Sequence, residues 1–224
     1  MSRTRQVSNQ MSLEIDQIYH ENLLYVKSKI SVSDLNDLKD TVNDIIEHPN
    51  HYKEHNTHLI GNLSKDYYLG NSQKIINPYL IKLANQFYKN SDKKPCQWKI
   101  GNAWVNFQKR YEHFNLHDHH GDLSFVLWIQ VPFDIENEIA ISNKNIDGNE
   151  KGANSRFVFV YSDIFGKLVT HKLEVDQTWE GRLIVFPSSI HHEVYPFYSS
   201  NDLRISISGN LYEKSINNSS YLYE

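Results

Sequence analysis

The chain has 224 residues, a net charge of −4 and a single cysteine, Cys96. This length can bury a substantial core in one domain, and 14 Tyr, 10 Phe and 4 Trp supply large rings for a β-rich interior. The absence of a basic stripe argues against duplex nucleic acid as a partner, and one cysteine excludes an internal disulfide. Residues 1–12 are polar, predict a mobile N-terminus without a signal or membrane segment, and favour a soluble, cytoplasmic protein.

A first helix is predicted over residues 31–47. Its apolar positions recur at spacings of three and four residues, which is typical of a helix with one buried face. Ser31 or Ser33 is available as the N-cap, and Pro49 follows the end.

A second helix is predicted to begin with Asn77 as its cap and Pro78 at its first helical position. The stretches 19–32 and 58–69 are ambiguous, because short apolar runs do not separate strand from helix. We expect residues 13–91 to form a helical N-terminal region that supports a sheet.

From residue 92 the pattern changes to short β-like runs separated by turn residues, which predicts a β core over residues 92–213 and a tail over 214–224. The expected strands are Trp98 to Gln108, Leu123 to Val131, Phe157 to Tyr161, Leu168 to Glu174, Arg182 to Phe186 and Arg204 to Leu211. Residues 134–154 are rich in Asn, Asp, Glu and Gly and are predicted to form a long loop, of the kind that serves as a lid or binding element. A mainly β (α+β) fold in one structural domain follows.

The densest chemical signal lies at residues 115–122, where three histidines occur within four positions. This is a composition typical of metal sites. In an extended strand alternate side chains share a face, so His117 and His119 can point together at one ion. The opposite face would instead offer Asp118, His120 and Asp122. Only one set can face the ion unless Gly121 forms a bulge.

A second histidine pair, His191 and His192, follows a predicted strand that Pro187 ends. Twelve residues beyond it, Arg204 and Ser206 share one face of a predicted strand. An arginine beside a hydroxyl suits a small carboxylate, which it can hold by charge-assisted hydrogen bonds. The same alternation also describes an ordinary exposed edge strand.

The combination of motifs extends over residues 98–212. It comprises Trp104-Val105-Asn106, Asn115, His117-x-His119, Ser124 to Val131 with Pro132, Gly181, Phe186-Pro187-Ser188, His192-x-Val194-x-Pro196 and Arg204-x-Ser206-x-Ser208-x-Asn210. This combination resembles 2-oxoglutarate/Fe(II)-dependent oxygenases of bacteria and of bacteriophages, which are distant relatives of prolyl hydroxylases. The resemblance implies a double-stranded β-helix, a cupin-like jelly-roll with N-terminal helices packed on one sheet.

The resemblance also implies an activity: oxidative decarboxylation of 2-oxoglutarate, with O₂ as cosubstrate, coupled to hydroxylation of a prolyl or other amino-acid residue or of a small molecule. The implied Fe(II) ligands are His117, His119 and His192. Other candidate ligands are Asp118, His120, Asp122 and His191, the last because a shift of one residue would exchange it for its neighbour.

For the cosubstrate, the resemblance implies that Arg204 binds the distal carboxylate of 2-oxoglutarate with help from Ser206. Trp128 stands where relatives often have a tyrosine near that carboxylate, and Asn106 is expected to touch the oxoacid or orient a ligand.

Three histidines depart from the usual iron site of two histidines and one carboxylate. They also fit a cupin-type metalloenzyme that needs no 2-oxoglutarate, although the Arg204-x-Ser206 pattern argues against that alternative. A non-catalytic jelly-roll binding protein is a further alternative. The remaining histidines, including His113, His171 and those of the front half, are assigned to surface or packing roles.

Overall fold

A computed structural model describes residues 16–20, 23–55, 61–62, 65–91, 93–94, 96–145, 152, 154–163 and 165–214. The predicted mobile N-terminus lies outside these residues, as does the predicted tail apart from Lys214. The strands are β1 (Asp16–His20), β2 (Leu23–Lys29), β3 (Gly61–Asn62), β4 (Lys65–Tyr68), β5 (Gln97–Ile100), β6 (Trp104–Gln108), β7 (His113–His117), β8 (Leu123–Gln130), β9 (Phe157–Ser162), β10 (Leu168–Leu173), β11 (Arg182–Pro187), β12 (His191–Val194) and β13 (Arg204–Lys214). The helices are α1 (Val32–Glu47), α2 (Gln73–Asn90) and α3 (Ile135–Asn145). None of the described helices is long and apolar enough to cross a membrane.

The described strands form two antiparallel sheets. The larger sheet has the order β1-β2-β11-β8-β13-β6-β4, with β5 paired to β13, and the smaller sheet has the order β10-β9-β12-β7-β3. The strand pairing confirms the predicted mainly β fold and the two antiparallel sheets. The front region is not only helical, because it contributes β1, β2 and β4 to the larger sheet and β3 to the smaller one.

Two apolar layers cover the two faces of the larger sheet. One layer packs α1 and α2 against residues such as Val105, Leu127 and Ile207. The other fills the space between the sheets with rings that include Trp128 and Phe157. Alternation along each strand sends neighbouring residues to opposite layers, so β8 is apolar along nearly its whole length. The expected packing of N-terminal helices on one sheet is therefore observed.

Helix α1 agrees with its prediction. The hydroxyl of Ser31 accepts a hydrogen bond from the backbone N–H of Asp34 at 3.1 Å, which selects Ser31 over Ser33 as the N-cap. Leu38, Val42 and Ile45 form its buried face.

Helix α2 begins one turn earlier than predicted. It starts at Gln73, so Pro78 lies inside the helix rather than at its first position. Tertiary contacts explain the earlier start: the Gln73 side chain donates to the carbonyl of Gly101 at 2.8 Å and accepts from the N–H of Ala103 at 2.7 Å. The extra turn also buries Ile76 completely. These interactions offset the hydrogen bond that a proline removes from a helix interior.

The expected strand from Trp98 to Gln108 is two strands, β5 and β6, which pair with different parts of β13. They are separated at Gly101, whose N–H donates to the carbonyl of Asn210 at 2.8 Å. A Cβ at Gly101 would lie only 3.1 Å from that same oxygen, so the close backbone approach favours glycine.

The predicted long loop at 134–154 is wrong over half of its length, because residues 135–145 form α3. Asp134 caps this helix by accepting from the N–H of Glu136 at 2.8 Å. The residue that anchors this polar helix is itself polar. Glu138 is fully buried and accepts hydrogen bonds from the backbone N–H groups of Tyr198 at 3.0 Å and Ser199 at 2.7 Å.

Glu138→Ala is expected to destabilise the protein by about 1–3 kcal/mol, because it removes the acceptor of the half-buried N–H of Tyr198 and of the N–H of the exposed Ser199. Urea unfolding at pH 7 would measure the loss. Glu136→Ala, an exposed glutamate of the same helix, is the matched control and should change the unfolding free energy by less than about 0.5 kcal/mol. Equal effects of the two changes would contradict the anchoring role of Glu138.

Candidate functional site

Two of the predicted metal ligands lie on strands that the sequence did not predict. His117 is the last residue of β7 and His192 lies in β12, and the two are directly paired across the smaller sheet. Both strands are short and mix polar and apolar residues, so neither has the apolar run that predicted the other strands. The pairing brings together two histidines that are 75 positions apart in the chain.

His119 completes a cluster that we call the histidine triad: His117, His119 and His192. One ring nitrogen of each lies within 4.8 Å of the others. The ring centroids are separated by 4.9 Å between His117 and His119, 4.3 Å between His117 and His192, and 5.0 Å between His119 and His192. This separation brings a single ion within reach of all three rings.

Backbone carbonyls orient two of these rings. The Nδ1 of His117 lies 2.6 Å from the carbonyl oxygen of Asn115, and the Nδ1 of His192 lies 3.0 Å from that of Ile190. A carbonyl can only accept, so each Nδ1 carries the proton and each Nε2 keeps its lone pair. Such contacts fix the tautomer of metal-binding histidines.

Burial keeps the three rings neutral. It lowers the pKa of His117, lowers the pKa of His119 to about 4 with a further contribution from His117, and holds the pKa of His192 well below its usual range. The ring of His192 is stacked on Phe157 with centroids 5.2 Å apart. Neutral imidazole is the form that binds a metal ion.

His119 lies in a turn after β7 and not in an extended strand. Its backbone N–H donates to the carbonyl of Ser188 at 3.0 Å, and Gly121 has a φ of 112°, which favours glycine. The alternation of strand faces that the sequence suggested for this segment therefore ends at His117.

The other candidate ligands lie outside the triad. Asp118 and His120 are exposed, and His191 is exposed on the opposite side of β12 from His192. The Oδ2 of Asp122 accepts from the N–H of Glu213 at 2.7 Å, which turns this carboxylate away. Among the described residues, only the triad forms a metal-type cluster of three or more His, Cys, Asp or Glu.

An inner cavity of about 60 Å³ lies between the two sheets and ends at the triad. Its lining includes every residue that the sequence nominated for 2-oxoglutarate: Asn106, Trp128, Arg204 and Ser206. The alternation predicted for β13 is observed, since Arg204, Ser206 and Ser208 line this cavity while Ile205 and Ile207 face the helices.

Arg204 is a buried cation held by neutral groups. Its Nε donates to Oε1 of Gln108 at 2.9 Å, its Nη1 to the carbonyl of Ser155 at 2.6 Å, and its Nη2 to that of Tyr195 at 3.0 Å as well as to Gln108. Among the described residues no carboxylate forms an ion pair with it. Burial lowers the pKa of Arg204 to about 9, with Glu138 opposing the shift. These bonds use most of the guanidinium fork and leave one N–H on Nη1.

Asn106 links the cavity wall to β13. Its Nδ2 donates to the hydroxyls of Ser206 at 3.2 Å and Ser208 at 3.0 Å, and its Oδ1 accepts from Trp104 Nε1 at 3.1 Å. This network orients the polar face of β13 toward the cavity.

An outer cleft of about 280 Å³ adjoins the inner cavity at His117 and His119. It shares Trp104, Asn106, Phe114, His117 and His119 with the inner cavity, and it adds His55, Asp66, Asp118, His120 and Asn210. His117 and His119 thus lie where the two cavities meet, whereas His192 lines only the inner one. His55, assigned from the sequence to a surface or packing role, packs against Trp104 and also lines this cleft.

The Asp66→Asn variant is expected to gain stability that grows with pH. Burial raises the pKa of Asp66 from 3.8 to about 7, with a further contribution from Glu112. The folded state therefore binds this proton more tightly than the unfolded state, and ionisation costs folding free energy as the pH rises toward about 7.

Urea unfolding should show an advantage of Asn over Asp that is about 1–2 kcal/mol larger at pH 8 than at pH 5.5. Asp40→Asn, the same change at an exposed position of α1, is the control and should show no such difference. An advantage independent of pH would contradict the raised pKa.

Sequence reasoning missed Gln108, Asp66 and His55. Gln108 shares a strand face with Asn106, so the alternation of β6 was a usable signal for its direction. Asp66 and His55 lie in or beside a stretch that could not be assigned, and only the pairing of β4 with β6 brings Asp66 to the site.

Residues 102–210 match the family model described as "Putative 2OG-Fe(II) oxygenase". No curated protein sequence matches the chain.

Several solved structures share the fold. A Pseudomonas putida prolyl-4-hydroxylase is 12% identical with a TM-score of 0.51, covering 85% of this chain and 92% of that one. The α-ketoglutarate-dependent epimerase SnoN of nogalamycin biosynthesis is 12% identical with a TM-score of 0.55, covering 84% and 76%. HygX from Streptomyces hygroscopicus, solved with nickel, 2-oxoglutarate and hygromycin B, is 7% identical with a TM-score of 0.51, covering 88% and 84%.

Proposed function

Because residues 102–210 of this chain belong to the 2OG-Fe(II) oxygenase family, we propose that the protein is a non-haem Fe(II) dioxygenase. It couples oxidative decarboxylation of 2-oxoglutarate to hydroxylation of an organic substrate. The observation that carries this proposal is the histidine triad beside an inner cavity that contains a buried arginine, with which no carboxylate of the described residues forms an ion pair. We also infer that the two sheets form a double-stranded β-helix.

The triad residues fit an iron ion. Three neutral rings converge, and carbonyl contacts at Nδ1 leave the Nε2 lone pairs of His117 and His192 available. When bound, Fe(II) supplies the activation of O₂ that oxidises 2-oxoglutarate and hydroxylates a C–H bond. The chain's contribution is to hold the ion on three rings fixed by β7, β12 and the turn at His119.

Arg204 supplies the charge that binds the distal carboxylate of 2-oxoglutarate. Its burial strengthens the attraction to an anion, and its remaining N–H on Nη1 can donate to it. The hydroxyl of Ser206 offers a second donor, since Asn106 already donates to it. Trp128 forms an apolar wall, and Asn106 holds the polar face of β13 toward the cosubstrate.

The outer cleft receives the primary substrate. It shares its inner wall with the triad, and its outer lining includes the exposed residues Asp118 and His120. A substrate there would lie beside His117 and His119, two of the residues that would hold the metal. Apolar rings around His192 limit the access of water to the reacting centre.

Succinate formation tests the proposal. The protein reconstituted anaerobically with Fe(II) should form succinate only when both 2-oxoglutarate and O₂ are added, at a slow rate without primary substrate. Omitting each component in turn is the control. Metal-dependent turnover without 2-oxoglutarate would instead support a three-histidine cupin-type enzyme. No metal binding and no 2-oxoglutarate binding would support a non-catalytic jelly-roll.

A further inference from the structure

We propose that the outer cleft binds a cationic group of the primary substrate, an ammonium or a guanidinium, through the carboxylate of Asp66. This inference rests on the proposed function for the identity of the cleft as the substrate site. The binding itself can be measured without turnover.

The register of the larger sheet points Asp66 into the site. Asp66 on β4 is paired directly with Asn106 on β6, and directly opposed residues in an antiparallel pair project to the same face. Asn106 lines both cavities. The Asp66 side chain therefore faces the space in front of the triad and not the helical layer.

Asp66 is a buried acid with unused hydrogen-bonding capacity. It is only 5% exposed, and its Oδ1 has no hydrogen-bond partner among the described residues. A buried carboxylate without a partner is costly unless a cation or several donors reach it. Such a group beside the triad can bind a ligand donor, since no described residue donates to its Oδ1.

The part of the cleft lining that the structure describes contains no Lys or Arg. The described residues that line the cleft include Asp66 and Asp118 but neither Lys nor Arg, and burial lowers the pKa of His55. The charged neighbour with the greatest effect on Asp66 is another acid, Glu112. The cleft therefore favours positive charge, whereas the inner cavity contains the cation Arg204 and favours an anion.

Aromatic rings beside Asp66 add to the preference for a cation. The ring of His55 is stacked on that of Trp104 with centroids 4.5 Å apart and an interplanar angle of 8°. Trp104 in turn contacts His119 edge-on at 5.9 Å, so its ring extends from the cleft to the triad. A tryptophan ring together with a carboxylate is a combination that attracts ammonium and guanidinium groups.

A paired-probe binding experiment tests the inference. The Fe(II) and 2-oxoglutarate holoprotein is titrated calorimetrically without oxygen with N-acetyl-lysine amide and with its neutral analogue N-acetyl-norleucine amide. N-acetyl-arginine amide and N-acetyl-citrulline amide form the second pair. We expect at least one cationic probe to bind at least tenfold more tightly than its neutral partner.

The Asp66→Asn variant should abolish that preference, bringing the two probes of a pair within about twofold, because an amide keeps the shape of the side chain but not its charge. Asp40→Asn, the same change on the exposed face of α1, should leave the preference intact. The unfolding measurement described above for Asp66→Asn establishes that the variant is folded.

Three results would overturn the inference: equal affinity for the charged and neutral probes, no binding of any probe, or a preference that survives in Asp66→Asn. A protein that binds the cationic probe through Asp66 but forms no succinate would contradict the proposed function alone. Succinate formation without a charge preference would contradict only the role of Asp66.

Discussion

Replacing His192 by alanine is expected to lower both iron content and 2-oxoglutarate-dependent succinate formation by at least about 100-fold, which exceeds the 10- to 100-fold typical of losing an outer-shell contact. His192 is 2% exposed and its Nδ1 contacts the carbonyl of Ile190, so the orientation of the ring is fixed. No other His, Cys, Asp or Glu of the described residues completes the cluster in its place.

The measurement is metal content after anaerobic reconstitution and desalting, followed by the succinate assay. His191→Ala is the matched control, because this adjacent histidine is exposed on the other side of β12. It should retain iron and activity within about twofold, the range expected for a surface substitution. His192→Gln is a second variant that keeps much of the side-chain volume. Iron loss in both variants could therefore not be attributed to the cavity that alanine leaves. If His191→Ala lost the metal and His192→Ala kept it, the assignment of His192 as an iron ligand would be wrong.

The turn after β7 offers a second adjacent pair for the same experiment. His119→Ala should lose iron, whereas the exposed neighbour His120→Ala should retain it. Asp122→Asn should also retain iron, because its carboxylate faces the backbone of Glu213. Loss of iron in Asp122→Asn would instead indicate an iron site of two histidines and one carboxylate.

The Arg204→Lys variant is expected to raise the KM for 2-oxoglutarate by about 10- to 100-fold while iron content stays near that of the unchanged protein. Lysine keeps a positive charge, but it cannot reach Gln108, the carbonyl of Ser155 and that of Tyr195 at once as the planar guanidinium does. The charge would then lie in a different place, and the cosubstrate carboxylate would lose an oriented donor.

Kinetics at varied 2-oxoglutarate, with iron content measured on the same samples, separates the two roles. Arg182→Lys is the control and should leave the KM unchanged, because this half-buried arginine at the start of β11 lies 5.6 Å from the Trp179 ring and does not line the inner cavity. Equal losses of iron and of 2-oxoglutarate binding in Arg204→Lys would indicate that Arg204 stabilises the fold and does not bind the cosubstrate. Arg204→Ala is less informative, because it leaves several buried acceptors unsatisfied at about 1–3 kcal/mol each.

Local periodicity was sufficient to predict much of the fold. The spacing of Leu38, Val42 and Ile45 predicted α1, and the alternation of Arg204, Ser206 and Ser208 predicted the polar face of β13. Both patterns depend only on the repeat of a helix or a strand, which the chain expresses wherever one face is buried.

The errors arose where distant contacts outweigh local preference. Pro78 would normally mark a helix start, but the hydrogen bonds of Gln73 with the 101–103 segment extend α2 by a turn. The 134–154 stretch is too polar to predict a buried helix, yet Glu138 anchors α3 through backbone groups 60 positions away. Such partners are invisible to any reading of neighbouring residues.

For the candidate site, too, the sequence indicates some features and the tertiary structure decides the others. The chain alone indicates histidines, an arginine and a serine in an order that suits an iron oxygenase, because those motifs are short and each lies within one segment. Tertiary structure selects among them: pairing of β7 with β12 brings His117 to His192, a turn directs His119 inward and Asp122 outward, and pairing of β4 with β6 adds Asp66. Convergence of side chains from separate strands depends on sheet order and register, which no single segment encodes.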